Sequence, residues 1–274
     1  MRNTRTGLSG WKSGLLGLLL LSSSFLIAGA EEVLFIGNSF TFGGSDAPVA
    51  KYGGVPKLVE AIAAAKGKKL STQMVTSGGK DWRFHLENPA TDKALKSKTW
   101  DDIVLQDYSL KETHVTTGDF MKDGLEFDQR IAATSPKARI ILYQTWAYGP
   151  NHELFKKGQS SPKSFASQAE MMGEIEKNYA LLQHALQTKN PKREVLLAPV
   201  GIAFALSQQE HPEIDLWVSD SKHASTCGSY LAALVIYATI FHDSPLGATA
   251  KFPGFTLKPK EAKALQTAAS DAFK

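Results

Sequence analysis

The sequence predicts an α/β protein, a three-layer α/β/α sandwich with helices on both faces of a central, mainly parallel five-stranded sheet. Three observations carry the prediction. Short apolar runs alternate with longer helical patterns, the alternation that βαβ units produce. Several of the runs are continuously apolar, as strands buried on both faces require. The chain of 274 residues, 43% hydrophobic and 21% charged, has the composition of a globular domain rather than a disordered or collagen-like one.

The first strand is Val33–Ile36, ending at Gly37. Val55–Ala65 follows as a helix with Leu58, Val59 and Ile62 on one side, and Leu70–Val75 is the second strand, stopping at Ser77-Gly78-Gly79. Ile103–Leu105, Ile140–Tyr143 and Val195–Ala198 supply the remaining strands. Helices are expected over Trp82–Lys96, Phe120–Ala133, Phe165–Thr188, Ser225–Ile240 and Pro259–Phe273. Crossovers in such a sheet are right-handed, and ligands bind beyond the carboxyl ends of the strands. Gly149–Lys163, rich in Gly, Pro, Ser, Asn and Lys, interrupts the alternation after the fourth strand. It reads as a long loop at a strand's carboxyl end, either a substrate-binding insertion or a solvated excursion.

Residues 1–30 are expected to be a secretory signal peptide, which leaves one domain over 31–274. Arg2, Arg5 and Lys12 precede the apolar run Leu15–Leu21, and Ala28-Gly29-Ala30 supplies the small residues of a cleavage site. Ser22-Ser23-Ser24 interrupts the apolar stretch, which is short for a membrane span. The expected destination is the periplasm or the exterior, with no membrane span in the mature chain. Removing the three basic residues of the leader leaves 28 Lys and Arg against 27 Asp and Glu, so no nucleic-acid partner is called for. The single cysteine, Cys227, excludes an intramolecular disulfide framework and reads as a small side chain on an Ala-rich helix.

Chemistry is expected just after the strands. Gly37-Asn38-Ser39-Phe40-Thr41 places a serine on a tight strand-to-helix turn, where it serves either as a helix cap or as a nucleophile. It is not the nucleophile elbow Gly-x-Ser-x-Gly, because Thr41 stands where the second glycine belongs. Asp220-Ser221-Lys222-His223 spaces a carboxylate three residues from an imidazole, which is either a capping turn or an oriented general base. Taken together they offer Ser39 as nucleophile, His223 as base and Asp220 as the orienting group. Acyl transfer also needs donors for the developing oxyanion, and the candidates are the N–H groups of Ser39 and Gly79 and the side-chain amide of Gln106.

The first and last of these motifs together resemble the SGNH (GDSL-like) hydrolases, in a bacterial secreted subgroup, and Ser77-Gly78-Gly79 fits the second block of that superfamily. Val104-Leu105-Gln106, Tyr143-Gln144-Thr145-Trp146 and Gly228–Ala233 are similar to the same subgroup. The resemblance spans about Glu32 to Gly247. It implies a flavodoxin-like sandwich, a Ser39–His223–Asp220 triad and a serine esterase without a cofactor, acting on a short acyl ester such as an O-acetyl group on carbohydrate. Asn38 takes the place of the aspartate in Gly-Asp-Ser-Leu. The Gly-x-Asn of the third block is absent, and Gln106-Asp107-Tyr108-Ser109 stands instead, so that Gln106 supplies the missing amide or Asp107 or Tyr108 lines the site. The altered block keeps open a non-catalytic extracellular glycan-binding protein on the same scaffold.

The other conspicuous residues have competing readings. His85, His114, His152, His184, His211 and His242 show no short paired spacing, which argues against a catalytic metal. His85 lines the pocket or lies on a helix surface. Trp146 stacks on a sugar or packs over the sheet. Lys222 is expected to be exposed and to favour an anionic substrate.

Overall fold

The computed structural model describes residues 29–44, 47–114, 119–155 and 164–274. The five expected strands form one sheet: β1 Glu31–Gly37, β2 Leu70–Thr76, β3 Asp102–Leu105, β4 Arg139–Tyr143 and β5 Val195–Ala198. Their order is β2-β1-β3-β4-β5, and every pairing is parallel. This is the doubly wound flavodoxin-like order, which places the change of winding direction next to β1. Val33–Ile36, Ile103–Leu105 and Ile140–Tyr143 are essentially inaccessible to solvent, whereas β2, at one edge, is half-exposed.

After β1 come α1 Ser39–Phe42, α2 Ala47–Tyr52 and α3 Gly54–Ala65; after β2, α4 Trp82–Glu87 and α5 Pro89–Lys96; after β3, α6 Phe120–Thr134; after β4, α7 Gln168–Lys189. The chain closes with α8 Val200–Glu210, α9 Thr226–Phe241, a two-stranded antiparallel ribbon of β6 Lys251–Phe252 and β7 Phe255–Thr256, and α10 Pro259–Asp271. Helix α3 packs on α9, which also carries α8 and α10, while α4 and α5 pack on α6 and α6 on α7. The two groups cover opposite faces of the sheet. Helix α9 is buried on all sides over Gly228–Ile240, which explains its unbroken apolar sequence.

Two expected elements differ in detail. The single helix foreseen over Trp82–Lys96 is two, because Pro89 lacks the N–H that would continue α4. Asn88 accepts the N–H of Ala90 and caps α5 instead. Helix α7 begins at Gln168 rather than Phe165, since the Ser167 hydroxyl accepts the N–H of Glu170 and fixes the start there. Helix α8 follows β5 after only Pro199. It shows no amphipathic period, because one side faces the core at Val200, Ala203 and Phe204 and its exposed side is also partly apolar.

Residues 1–28 of the expected leader and residues 156–163 of the expected loop lie outside the described residues. Among the described residues no helix is long and apolar enough to cross a membrane.

Candidate active site

The serine turn is built by β1 running directly into a one-turn helix. Asn38 caps α1, its Oδ1 accepting the N–H of Phe40 at 3.1 Å, and Gly43 ends the helix in the left-handed region at φ 94°. Only glycine fits at position 37: a β-carbon there would lie 2.5 Å from the Thr41 hydroxyl and 2.6 Å from Gln106 Oε1. The N–H groups of Phe40, Thr41 and Phe42 are all used on Asn38, whereas that of Ser39 takes no acceptor among the described residues. A free N–H at the first helical position beside a half-buried serine hydroxyl is what an oxyanion requires.

His223 approaches from the far end of the chain. Its Nε2 lies 2.8 Å from Ser39 Oγ and its Nδ1 2.6 Å from Asp220 Oδ2. With Nδ1–H donated to the carboxylate, Nε2 accepts the serine proton, so the hydrogen bonds assign the tautomer. The other carboxylate oxygen, Oδ1, accepts the backbone N–H groups of Lys222 and His223, each at 2.9 Å. Burial pushes the Asp220 carboxyl up, but the imidazole and the two backbone N–H groups outweigh it and hold the group below the ordinary aspartate value. Asp220 therefore stays ionised at neutral pH. The imidazole is 21% exposed and Asp220 43%, so the three groups lie on an open rim.

The turn that carries Asp220 and His223 is fastened from several sides. Ser221 adopts φ 54°, and its carbonyl accepts the N–H of Gly149 at 2.6 Å. Trp146 Nε1 donates to the Lys222 carbonyl at 3.0 Å. The ring of Phe40 meets the imidazole edge-on at 5.7 Å and stacks on Trp146 at 4.3 Å, and Trp146 stacks in turn on Phe204 at 4.4 Å. Trp146 is thus a buried strut behind the histidine, with no face left for a sugar.

The remaining sequence candidates divide. Gly79 lies in the exposed turn after β2 at φ 68°, and its N–H takes no acceptor among the described residues. Asn38 Nδ2 donates to the Lys80 carbonyl at 2.9 Å and draws that turn toward the serine. Gln106 must be reassigned. Its Oε1 accepts from Asn38 N and from the Thr41 hydroxyl, each at 2.9 Å, and its Nε2 donates to the Asp107 carbonyl. With its oxygen and one N–H spent inside the protein and the residue only 1% exposed, this amide is a brace under the serine turn rather than an oxyanion donor.

Asp107 is also internal: its Oδ1 accepts the N–H groups of Trp82 and Tyr108, both at 2.7 Å, and its carbonyl accepts from Asn38 Nδ2 at 3.4 Å. Burial and nearby Glu112 push its carboxyl well up. Tyr108 is the member of the altered block that reaches the rim. His85 is fully buried, neither pocket lining nor surface: its Nε2 lies 2.8 Å from the Gly37 carbonyl, and burial lowers its pKa and favours the neutral ring. Lys222 is half-buried rather than exposed. Among the described residues no three His, Cys, Asp or Glu side chains converge on a metal position.

Two residues that sequence reasoning passed over stand against the histidine turn. A β-carbon on Gly44 would lie 2.7 Å from His223 Cδ2, and one on Gly149 would lie 3.1 Å from Ser221 Cβ. The Gly43-Gly44 pair and the Gly-Pro at 149–150 mark turns, but nothing local says what those turns touch.

No family model and no curated protein matches the sequence. Solved structures do. A DUF4886 family protein from Bacteroides uniformis superposes with a TM-score of 0.65 at 19% identity, over 89% of this chain and 95% of that one. A candidate SGNH hydrolase from Slackia heliotrinireducens gives 0.58 at 22% identity, over 77% and 100%. A mutant of an acetyl-xylooligosaccharide esterase from Geobacillus gives 0.51 at 14% identity, over 79% and 97%. The chain has the three-layer fold of the SGNH, GDSL-like hydrolases.

Proposed function

We propose that the protein is a secreted or periplasmic serine esterase of the SGNH type, hydrolysing a short acyl ester such as an O-acetyl group on carbohydrate. The observation that carries the reading is the continuous chain Ser39 Oγ–His223 Nε2–His223 Nδ1–Asp220 Oδ2, with links of 2.8 and 2.6 Å. Nucleophile, base and orienting carboxylate within hydrogen-bond reach form the constellation that activates a hydroxyl.

His223 takes the proton from Ser39 as Oγ bonds to the ester carbon, and the carbonyl electron pair moves onto oxygen. The N–H groups of Ser39 and Gly79 receive that oxyanion. Collapse breaks the bond to the alcohol, which leaves with the proton from His223. Water then repeats the cycle: His223 takes its proton as the water oxygen bonds to the acyl carbon, the bond to Ser39 Oγ breaks as the proton passes from His223 to Oγ, and the acid departs. Asp220 keeps the ring oriented and stabilises its cation. No cofactor enters.

The open rim suits a group displayed on a larger molecule. The acetyl-xylooligosaccharide esterase shares the fold, and the leader expected over residues 1–30 would deliver the enzyme to where polysaccharides lie. The test is Ser39→Ala: hydrolysis of p-nitrophenyl acetate should fall to background with the circular dichroism unchanged. Undiminished hydrolysis would remove the mechanism. A fluorophosphonate should label the wild type and not the variant, while a glycan-binding protein without an activated serine would react in neither form.

A further inference from the structure

Lys222 precedes His223 in the chain, and its backbone is fixed from both sides. Its N–H donates to Asp220 Oδ1 at 2.9 Å and its carbonyl accepts from Trp146 Nε1 at 3.0 Å. The side chain does not run into solvent. Its Nζ lies 3.3 Å from the Tyr108 hydroxyl, 4.7 Å from the centre of the Tyr108 ring and 5.6 Å from that of Tyr148. Tyr108 follows β3 and Tyr148 follows β4, so the ammonium sits at the carboxyl ends of these two strands, on the same rim as Ser39.

The company of this ammonium differs from that of the other half-buried lysine on the β3 side. Lys111, also substantially buried, pairs with Asp81 at 2.9 Å and Asp119 at 3.5 Å. Lys222, among the described residues, faces tyrosines in place of carboxylates. Ring faces and one phenol oxygen replace part of the lost hydration without cancelling the charge. An ammonium has three donors, and the Tyr108 hydroxyl takes one. The result is a positive charge held in place on the rim that carries the nucleophile, with donors to spare.

We propose that Lys222, framed by Tyr108 and Tyr148, recognises a carboxylate on the alcohol half of the ester substrate, such as a hydroxy-acid or uronic-acid unit. The inference rests on the esterase reading of Ser39. The alcohol half is indicated because His223 must hand its proton to the leaving oxygen, which puts the departing group on the imidazole side. The oxyanion donors, Ser39 and Gly79, belong to the β1–β2 side, opposite β3 and β4. A carboxylate docked on Lys222 gains a charge-assisted hydrogen bond. Because the lysine backbone hangs from Asp220 and Trp146, the anion is registered against the triad rather than merely attracted to the surface.

The test compares 4-acetoxybenzoate with its neutral isostere 4-acetoxybenzamide, which present the same acyl group. The wild type should favour the anion by about tenfold in kcat/KM, chiefly through KM. Rising salt should erode the preference. Lys222→Met should abolish it and Lys222→Arg should restore part of it. If the lysine only straps the turn, Lys222→Met lowers both esters by one factor and leaves their ratio intact, which overturns the proposal, as does a wild type without preference. If neither ester is cleaved the esterase reading fails separately. Calorimetric binding of the two compounds to Ser39→Ala, with and without Lys222→Met, then decides the subsite: carboxylate-selective binding lost with the lysine upholds it, and equal binding rejects it.

Discussion

Gln106 Oε1 accepts the backbone N–H of Asn38 at 2.9 Å, so the amide at the end of β3 holds the serine turn at the end of β1 from beneath. The same oxygen takes the Thr41 hydroxyl. Gln106→Leu strands both buried donors. The expected cost is about 2–3 kcal/mol, one to two unsatisfied groups, or about 5–10 °C in Tm for a domain of this size. Calorimetry and esterase assays together discriminate: an oxyanion donor would lose rate at constant Tm, whereas a brace loses both.

The Asp220–His223 link gives a second expectation. Asp220→Asn keeps an oxygen for the N–H groups of Lys222 and His223 but replaces Oδ2, the acceptor of Nδ1–H, by a donor. The imidazole then loses its tautomer and the stabilisation of its cation. The variant should fold, with kcat lowered on the order of 10³-fold and KM little altered. A loss below tenfold would mean that the carboxylate, 43% exposed, contributes little to orienting the ring.

How much of this was legible in the sequence follows from the range of each interaction. Four of the five strands and the serine turn announce themselves through contiguous apolar runs and one glycine, and β2 through a looser alternation, because the information lies within a few residues. The proximity of Ser39 and His223, 184 positions apart, was an inference from fold class, since no local pattern specifies it. Gln106 sits in the expected place with a different task. A sequence can put an amide at a strand end, but which polar atoms it satisfies depends on the packing of β1 against β3. His85 and Trp146 were underdetermined for the same reason, as their burial is decided by elements distant in the chain. Gly44 left no signal beyond a turn.

That silent glycine carries a prediction. Gly44→Ala puts a β-carbon 2.7 Å from His223 Cδ2 at a residue with φ 46°, so the ring must shift. A displacement of about 1 Å can cost about 10²-fold in rate, and the left-handed backbone adds about 1 kcal/mol of strain. Gly247→Ala is the control, with φ 71° and open space around the new carbon. Similar losses of Tm in both variants, with activity lost only at position 44, identify the contact rather than the strain. Equal activities would show that the imidazole yields without penalty.

The last expectation concerns pH. Glu112 is buried between the β3 loop and α7, with Oε1 accepting the Thr145 hydroxyl and Oε2 without a partner among the described residues. Burial raises its pKa from 4.5 to about 7. Below pH 4.5 folded and unfolded chains both carry the proton. Between there and about 7 only the folded chain holds it, so stability falls as pH rises, by about 1.4 kcal/mol per unit. Above 7 both are ionised and the whole penalty, about 3 kcal/mol, is present. Glu112→Gln keeps the acceptor for Thr145 and removes the titration. Urea unfolding should therefore find the variant more stable than wild type at pH 8, with the gap closing toward pH 5. Asp107 shifts in the same direction and gains a neutral neighbour, which enlarges the difference at high pH. A constant gap between the two proteins across that range would show that Glu112 is ionised in the folded state throughout.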